Sequence, residues 1–295
     1  MSEMKARDRT WQCVEVACNP LWIDHLGFEI SERFKVITEL TEKGVRFYLD
    51  TVAWNPDWER TLKKFLTEFG RLYRHSGPLS YRVTRIKDQD WGLKWKTHFK
   101  PIRAGNRLWI APPWESFEPP PDSFLVKINP GRAFGTGHHE TTRLCLAWLE
   151  RYKERADVAE KSLLDVGTGT GIIAITGALL GFSSVVGVDY DTGVLLEAKR
   201  NIALNPGAGN VRLVAGTTDC FRGRFDVIVA NIELSTLIHM VDDFVSLLCS
   251  SGKLVVSGVL TSQCNRLIRA YRDRRMILVG MEEAGEWSLI EWGKG

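Results

Sequence analysis

The stretch Leu163-Leu164-Asp165-Val166-Gly167-Thr168-Gly169-Thr170-Gly171-Ile172 decides the fold of this chain. A short apolar run meets three alternating glycines and then an amphipathic segment, which predicts a strand, a tight turn and a helix. Glycines let the backbone turn sharply and approach a ligand closely, because they have no Cβ. A second apolar run, residues 185–188, follows and ends in Asp189. In a βαβ nucleotide-binding fold an acidic residue at this place accepts hydrogen bonds from ribose hydroxyls, so the centre of the chain is predicted to hold a nucleoside.

The spacing of the glycines indicates which nucleoside is bound. The dinucleotide fingerprint is G-x-G-x-x-G, in which helix-terminal amides face a pyrophosphate. Gly167 and Gly169 fit this fingerprint, but its sixth position is Ile172 and the third glycine comes one position earlier, at Gly171. The G-x-G-x-G pattern resembles the first motif of class I S-adenosylmethionine-dependent methyltransferases, whose ligand has no phosphate. An ordinary strand-to-helix turn is the alternative, and the paired Asp189 argues against it.

The length, composition and charge of the chain limit the class of protein to which it can belong. It has 295 residues, enough for one large domain or two smaller ones, and 44% of them are hydrophobic. The formal net charge of +3 is too small to demand a nucleic-acid partner. Residues 1–10 are polar and charged, without the apolar segment of a signal peptide, and no apolar run approaches membrane-spanning length. We therefore expect a cytoplasmic protein without a membrane partner, and its oligomeric state stays open.

Six cysteines are scattered along the chain without a C-x-x-C pair. Most of them lie in apolar runs. This pattern predicts buried thiols in a reducing compartment.

Residues 1–86 are predicted to form a small ferredoxin-like α+β domain. Strands are expected at 11–17, 34–40, 44–49 and 80–86, and helices at 20–30 and 57–73. The order β-α-β-β-α-β is that of ferredoxin-like folds, which RNA-recognition domains share. Their basic-Gly-aromatic signature is matched only in part by residues 43–48, which lack an aromatic residue directly after the glycine. Phe47 is therefore assigned to the core, and stacking on RNA is the alternative.

Residues 87–101 are predicted to form a linker helix. Trp91, Trp95 and Phe99 recur at four-residue spacing among alternating charges, which places them on one helix face. Packing between two domains is the favoured interpretation, because such stripes usually belong to a core. A basic, aromatic surface for a partner is the alternative.

Residues 102–295 are predicted to form an α/β domain with a doubly wound sheet. Strands are expected at 107–111, 124–128, 211–215, 225–230 and 253–257 besides the two already named, helices at 191–204, 234–248 and 262–272, and a closing hairpin from 276–281 and 287–292. Alternating strands and helices imply a parallel sheet with helices on both faces. Ligands of such sheets bind beyond the carboxyl ends of the strands, where Gly167, Asp189 and Asn231 lie.

The stretch Asn129-Pro130-Gly131-Arg132-Ala133-Phe134-Gly135-Thr136-Gly137-His138-His139-Glu140-Thr141-Thr142 is dense in small and polar residues. Such residues suit a loop that closes over a ligand. A helix is predicted from Thr141 to about Tyr152, with a threonine as its N-cap. His138, His139 and Glu140 suggest a metal site, but adjacent side chains point in different directions and no second cluster completes a site. No metal is expected.

Four stretches together resemble the ribosomal protein L11 methyltransferase family, PrmA. They are Ala-Phe-Gly-Thr-Gly at 133–137, the two threonines at 141–142, the glycine motif at 165–171 and Val-Ala-Asn-Ile at 229–232. The resemblance implies a class I methyltransferase fold with S-adenosylmethionine as cofactor. It further implies methyl transfer to lysine side chains or the N-terminal amino group of ribosomal protein L11, free or in the large ribosomal subunit. The first domain, similar only in element order, is then predicted to recognise this substrate.

The resemblance also implies a set of site residues. Cofactor contacts are expected at Phe134, Thr136, Thr142, Gly167, Gly169, Asp189 and Asn231. Asn231 is further expected to orient the acceptor amine through its carbonyl oxygen, because an uncharged amine must be held close to the methyl carbon. Glu233 departs from the small residue usual in the family. A surface carboxylate at a helix start is favoured there over a local proton acceptor.

Three hypotheses about function stay open at this point. The first is a methyltransferase for amino groups of a ribosomal protein. The second is a methyltransferase for RNA, another protein or a small-molecule amine. The third is a non-catalytic module that binds S-adenosylmethionine or a dinucleotide. The glycine spacing argues against a dinucleotide, and the partial RNA signature with a small net charge argues against RNA, although contact with RNA stays open.

Overall fold

A computed structural model describes residues 10–34, 36, 38–72, 79–87, 99–131 and 133–295. The chain divides into two units, Met1–Phe99 and Lys100–Gly295. The linker helix predicted for residues 87–101 lies outside the described residues except at its two ends. No helix in the described ranges is long and apolar enough to cross a membrane.

The first unit contains an antiparallel sheet of four strands. The strands are β1 (Thr10–Ala17), β2 (Thr38–Thr41), β3 (Gly44–Asp50) and β4 (Tyr81–Lys87), in the order β2-β3-β1-β4. Helices α1 (Ile23–Phe34) and α2 (Pro56–Leu72) complete the predicted element order β-α-β-β-α-β. The strand expected at 34–40 is shorter because α1 continues through Phe34, whose ring packs on Trp58 and Phe65 at centroid distances of 5.0 and 5.6 Å. The ferredoxin-like assignment stays a prediction.

The two helices pack on one face of this sheet. Helix α2 buries residues that recur at three- and four-residue spacing, and β3 buries alternate residues. Phe47 of β3 has no exposed surface and belongs to the resulting hydrophobic cluster. It is a core residue, as predicted, so its ring is not available to stack on an RNA base.

The second unit begins with a small sheet of three strands. They are β5 (Ile102–Arg103), β6 (Leu108–Ala111) and β7 (Phe124–Lys127), with β6 antiparallel to β5 and parallel to β7. Glu150 is buried and accepts hydrogen bonds from the backbone N–H groups of Asn106 and Arg107, both at 2.6 Å. This carboxylate therefore holds the turn between β5 and β6.

A seven-stranded sheet forms the centre of the second unit. Across the sheet the strands are β10 (Val211–Ala215), β9 (Ser184–Asp189), β8 (Ser162–Val166), β11 (Phe225–Asn231), β12 (Leu248–Leu260), β14 (Trp287–Lys294) and β13 (Met276–Ala284). The first five run parallel, and β14 runs antiparallel to both of its neighbours. The predicted doubly wound α/β sheet with a C-terminal antiparallel hairpin is confirmed.

Helices cover both faces of this sheet. They are α3 (Glu140–Arg155), α4 (Ile172–Leu180), α5 (Thr192–Ala203), α6 (Leu234–His239), α7 (Val241–Leu247) and α8 (Cys264–Arg272). Adjacent residues of a strand point to opposite faces, so Leu163 packs in the cluster with α3 and α4 while Leu164 packs in the cluster with α6, α7 and α8. The single helix expected at 234–248 is divided at Met240, where Asp242 and Asp243 favour a new helix N-terminus.

The cysteines are less buried than predicted. All six are free thiols, but only Cys145 and Cys264 are buried, and Cys220 is exposed. Location in an apolar run did not predict burial of the thiol, because the side chains of a strand or helix point alternately to the core and to the surface.

Asp165 lies on β8, the middle one of the five parallel strands, with no exposed surface. Its Oδ2 accepts hydrogen bonds from the hydroxyl of Thr168 (2.6 Å) and the N–H of Ala174 (3.2 Å), which ties the glycine turn and α4 to β8. Its Oδ1 has no hydrogen-bond partner in the described part of the chain. Burial raises the pKa of this carboxyl to about 7, with a smaller contribution from the negative charge of Asp189.

The raised pKa makes the stability of the protein depend on pH. The ordinary pKa of an aspartate is near 3.8, so between about pH 4 and 7 the folded chain retains a proton that the unfolded chain has lost. The free energy of unfolding should therefore fall as the pH rises through this window, and Asp165→Asn should remove that contribution. In urea unfolding, the stability of wild type minus that of Asp165→Asn should decrease by at most about 1.4 kcal/mol per pH unit.

Asp273→Asn is the matched control for this experiment, because Asp273 is an exposed carboxylate at the end of α8. This variant keeps Asp165, so its stability in urea unfolding should still fall as the pH rises from about 4 to 7. If wild type and Asp165→Asn show the same pH dependence, Asp165 is ionised alike in the folded and unfolded chains and the burial argument fails.

Candidate active site

Three glycines shape the turn between β8 and α4. Gly167, Gly169 and Gly171 have φ angles of 70°, 56° and 82°, in the left-handed region that other residues rarely adopt. A Cβ on Gly169 would lie 2.3 Å from the carbonyl oxygen of Phe134, and a Cβ on Gly167 would lie 2.5 Å from Cγ2 of Ile232. Without a Cβ, these two glycines let other segments of the same chain, at Phe134 and Ile232, come close to the backbone of the turn.

Every backbone N–H of residues 167–171 donates a hydrogen bond within the protein. The acceptors are the carbonyl oxygen of Val188 for Gly167 and Thr168 (2.9 and 3.0 Å), Oδ2 of Asp189 for Gly169 (3.1 Å), the carbonyl oxygen of Phe134 for Thr170 (2.9 Å) and that of Thr168 for Gly171 (2.8 Å). A phosphate-binding turn directs such N–H groups at its ligand. This turn is therefore not arranged to hold a pyrophosphate.

Asp189 ends β9 beside the turn and is partly exposed. Its Oδ2 accepts from the N–H of Gly169, and its Oδ1 accepts from the N–H of Asp191 (3.1 Å). A carboxylate oxygen can accept two hydrogen bonds. Each oxygen of Asp189 thus retains acceptor capacity towards a ligand.

The loop of residues 133–137 lies against the glycine turn. The N–H of Thr170 donates to the carbonyl oxygen of Phe134, and the Thr170 hydroxyl donates to that of Gly135 (2.5 Å). The Phe134 side chain is 55% exposed, and Thr136 is partly buried. The loop lies at the edge where a ligand was expected, and its closure over a ligand stays a prediction.

Helix α3 begins after this loop at Glu140. Its N-cap is His139, whose Nδ1 accepts from the N–H of Thr141 (3.3 Å) and lies 2.8 Å from the Thr141 hydroxyl. The predicted threonine N-cap is therefore wrong. A ring nitrogen of His139 takes the place of the usual cap oxygen, so the helix begins before the two threonines. Thr141 and Thr142 are its second and third residues and have no exposed surface.

Asn231 is the last residue of β11 and is 9% exposed. Its Nδ2 donates a hydrogen bond to Oγ1 of Thr142 (3.4 Å), which joins the end of β11 to α3. Its Oδ1 has no hydrogen-bond partner among the residues that the structure describes. A buried amide oxygen without a partner costs free energy unless a ligand satisfies it. This oxygen is therefore a candidate acceptor for a donor group of a ligand or substrate.

Glu233 occupies an exposed position at the start of α6. The hydroxyls of Ser235 and Thr236 donate to its Oε1 at 2.6 and 3.1 Å and hold the pKa of this carboxyl below its ordinary value. A carboxylate so stabilised is a weak proton acceptor. The arrangement favours a helix-start role.

His138 differs from its neighbour in having no part in the cap of α3. Partial burial lowers the pKa of His138. Within the described ranges, His, Cys, Asp and Glu side chains form no group of three or more that could hold a metal ion.

The seven predicted positions lie around the carboxyl ends of β8, β9 and β11. Gly167, Gly169 and Asp189 meet at the turn, Phe134 and Thr136 lie in the loop bonded to it, and Thr142 pairs with Asn231. Thr142 reaches the site through Asn231, since its own side chain is fully buried.

Three further residues of this region were not predicted as site residues from the sequence. Thr170 binds the loop, Asn201 donates to the carbonyl oxygen of Thr170 (2.9 Å), and the ring of Trp287 contacts that of His139 at a centroid distance of 4.8 Å. A buried asparagine or tryptophan looks in sequence like one at the surface. These residues became identifiable only from the packing.

Comparisons with known proteins agree on one family. The family model described as Ribosomal protein L11 methyltransferase (PrmA) matches residues 12–294. A relative from Geobacter sulfurreducens, named ribosomal protein L11 methyltransferase, is 36% identical over 277 residues, covering 94% of this chain and 90% of the relative. A relative of the same name from Pelobacter propionicus is 38% identical over 261 residues, covering 84% of this chain and 82% of the relative.

A solved structure gives the same result. The crystal structure of ribosomal protein L11 methylase from Lactobacillus delbrueckii subsp. bulgaricus is 31% identical and superposes with a TM-score of 0.61, covering 66% of this chain and 99% of that one. Members of the matched family are S-adenosylmethionine-dependent methyltransferases, so the predicted class I fold and cofactor are confirmed. Since the family model matches nearly the whole length, this chain belongs to the ribosomal protein L11 methyltransferase (PrmA) family.

Proposed function

We propose that this chain is a protein N-methyltransferase that transfers methyl groups from S-adenosylmethionine to lysine side chains or the N-terminal amino group of ribosomal protein L11, free or in the large ribosomal subunit. Residues 1–86 recognise this substrate, residues 102–295 catalyse the transfer, and residues 87–101 link the two. The observation that carries the assignment is the buried Oδ1 of Asn231, beside the glycine turn, which has no hydrogen-bond partner in the described part of the chain. An enzyme with this substrate works in the cytoplasm.

The turn suits a nucleoside cofactor without phosphates. All of its N–H groups are already bonded within the protein, whereas Asp189 retains acceptor capacity for ribose hydroxyls. The loop that carries Phe134 and Thr136 is held against the turn by Thr170 and supplies further cofactor contacts. Bound S-adenosylmethionine supplies an electrophilic methyl group.

Asn231 orients the acceptor amine in this proposal. A lysine ammonium has no lone pair and must first lose a proton, which passes to solvent because Glu233 is a weak acceptor. Oδ1 of Asn231 then accepts one N–H of the neutral amine and aligns the nitrogen lone pair. The hydrogen bond from Asn231 to Thr142 holds the amide in an orientation in which Oδ1 has no hydrogen-bond partner among the described residues.

The first unit has a sheet face suited to binding a protein. Its helices pack on one face, and the other face carries a cross-strand row of charges formed by Glu39 of β2, Arg46 of β3 and Glu15 of β1. Arg46 donates to Glu15 at 2.7 Å and to Glu39 at 3.3 Å, so these side chains are held in place. Ordered charges of both signs can pair with a protein partner, while the burial of Phe47 weakens the case for RNA.

Cofactor choice can be tested by calorimetry. S-adenosylmethionine and S-adenosylhomocysteine should bind to the full chain, and NAD should not, because no N–H of the turn remains for a pyrophosphate. Asp189→Ala should weaken binding of S-adenosylhomocysteine by roughly 1–3 kcal/mol, since the ribose hydroxyls lose their acceptor. Asp191→Ala is the matched control, because this carboxylate caps α5 and its loss should lower stability but not affinity. Tight binding of NAD would refute the argument from the turn.

The roles of the two units can be separated with a fragment that starts at Lys100. It contains the complete seven-stranded sheet and both hydrophobic clusters that pack on it, so it should fold and bind S-adenosylhomocysteine like the full chain. Its rate of methyl transfer to ribosomal protein L11 should fall on the order of 100-fold, because substrate positioning is lost. Full activity of the fragment would show that residues 1–86 do not select the substrate.

The role of Asn231 can be tested with Asn231→Asp. The hydroxyl of Thr142 can donate to the new carboxylate, so the side chain stays anchored, but its negative charge favours the protonated amine, which cannot attack. Turnover near pH 7 should fall by at least about 100-fold with little change in cofactor affinity, and part of the rate should return towards the lysine pKa near 10.4. The measurement is the methylation rate over this pH range.

Glu233→Gln is the control for this experiment and should keep the rate of wild type, because its carboxylate serves the start of α6. A wild-type rate for Asn231→Asp at every pH would mean that Asn231 only caps β11. An equal loss of affinity and turnover would reduce its role to cofactor binding.

A further inference from the structure

Helix α5 and the residues that follow it carry buried polar side chains where an amphipathic helix would place apolar ones. Glu197, Asn201 and Asn205 are spaced four residues apart, which aligns them on one side. The exposed fractions of Asn201 and Asn205 are 1% and 3%. Burying two amides is costly unless they are hydrogen-bonded, so their partners identify what this stripe does.

The partners are backbone groups of the segment that leads into the 133–137 loop. Asn205 accepts from the N–H of Lys127 and donates to its carbonyl oxygen, both at 2.8 Å. Asn201 accepts from the N–H of Asn129 (2.9 Å), and Glu197 accepts from the N–H of Ala133 (3.1 Å). The stripe therefore holds the segment at three successive points.

Asn201 has a second partner besides Asn129. Its Nδ2 donates to the carbonyl oxygen of Thr170, at 2.9 Å, within the glycine turn. One amide thus bonds the loop segment through its oxygen and the turn through its nitrogen. Thr170 in turn bonds the loop through Phe134 and Gly135, which closes a circuit of hydrogen bonds around the two walls of the site.

We infer that Asn201 is a positioning residue for the cofactor: it sets the separation between the 133–137 loop and the 167–171 turn, so that cofactor bound at one wall tightens the other. This inference rests on the proposed cofactor site. Loss of the amide would remove the hydrogen-bond partner of the Asn129 N–H and of the Thr170 carbonyl oxygen, so the hydrogen bonds of Thr170 to Phe134 and Gly135 would have to hold the loop against the turn without this support.

The test uses the full chain and S-adenosylhomocysteine as the probe. Asn201→Ala should raise its Kd by about tenfold or more, because the loop segment and the turn lose the side chain that bonds both of them. Asn205→Ala is the matched control: it removes an equally buried asparagine that bonds Lys127 and the backbone of Asn201 but does not touch the turn. Its Kd should change by less than about threefold, although its unfolding midpoint in urea should fall at least as far.

The outcomes distinguish failure of this inference from failure of the proposed cofactor site. Equal loss of affinity in both variants, or wild-type affinity in Asn201→Ala, would reduce Asn201 to a stabilising residue and overturn the inference. Absence of binding to the unaltered chain would instead refute the proposed cofactor site.

A measurement on the unaltered chain keeps the inference testable if Asn201→Ala does not fold. Addition of S-adenosylhomocysteine should slow hydrogen exchange at the amide of Asn129, which donates to Asn201, by at least about threefold, and should affect the amide of Lys127 less. Unchanged exchange at Asn129 with the ligand bound would overturn the inference.

Discussion

The hydrogen bonds from Thr170 to the carbonyl oxygens of Phe134 and Gly135 hold the two walls of the candidate site together. They form only because Gly169 has no Cβ, which would lie 2.3 Å from the Phe134 carbonyl oxygen. The position of the turn depends on β8, because Asp165 of this strand accepts hydrogen bonds from Thr168 and Ala174. A single strand, the middle one of the five parallel strands, therefore positions the turn, the loop and the start of α4.

The same contacts account for the class of cofactor in physical terms. A turn that binds phosphate needs N–H groups directed at the ligand, together with positive charge. Here the N–H groups of residues 167–171 are bonded to the chain itself, and the carboxyls of Asp165 and Asp189 accept hydrogen bonds from the turn. The remaining acceptor capacity lies on Asp189 and on Oδ1 of Asn231, which suits the hydroxyl and amine donors of a ribose and of an acceptor amine.

Several features of the fold follow from sequence pattern because they are local. Alternating glycines predict a turn, and apolar runs ending in Asp189 and Asn231 predict buried strands of a parallel sheet, since both signals depend on neighbours along the chain. Local signals also explain the errors. A threonine was the preferred cap for α3, but the ring of His139 took that place because it also packs on Trp287, which is distant in sequence.

By itself, the sequence determined the order of strands and helices, the glycine turn and the family to which the chain belongs, because these depend on residue type and spacing. Tertiary structure alone decided which atoms remain for a ligand. Whether Oδ1 of Asn231 has a partner depends on Thr142 of helix α3, and whether the turn offers N–H groups depends on Phe134 and Val188 in other segments. Hydrogen bonds between segments distant in sequence are set by packing, so no local pattern records them.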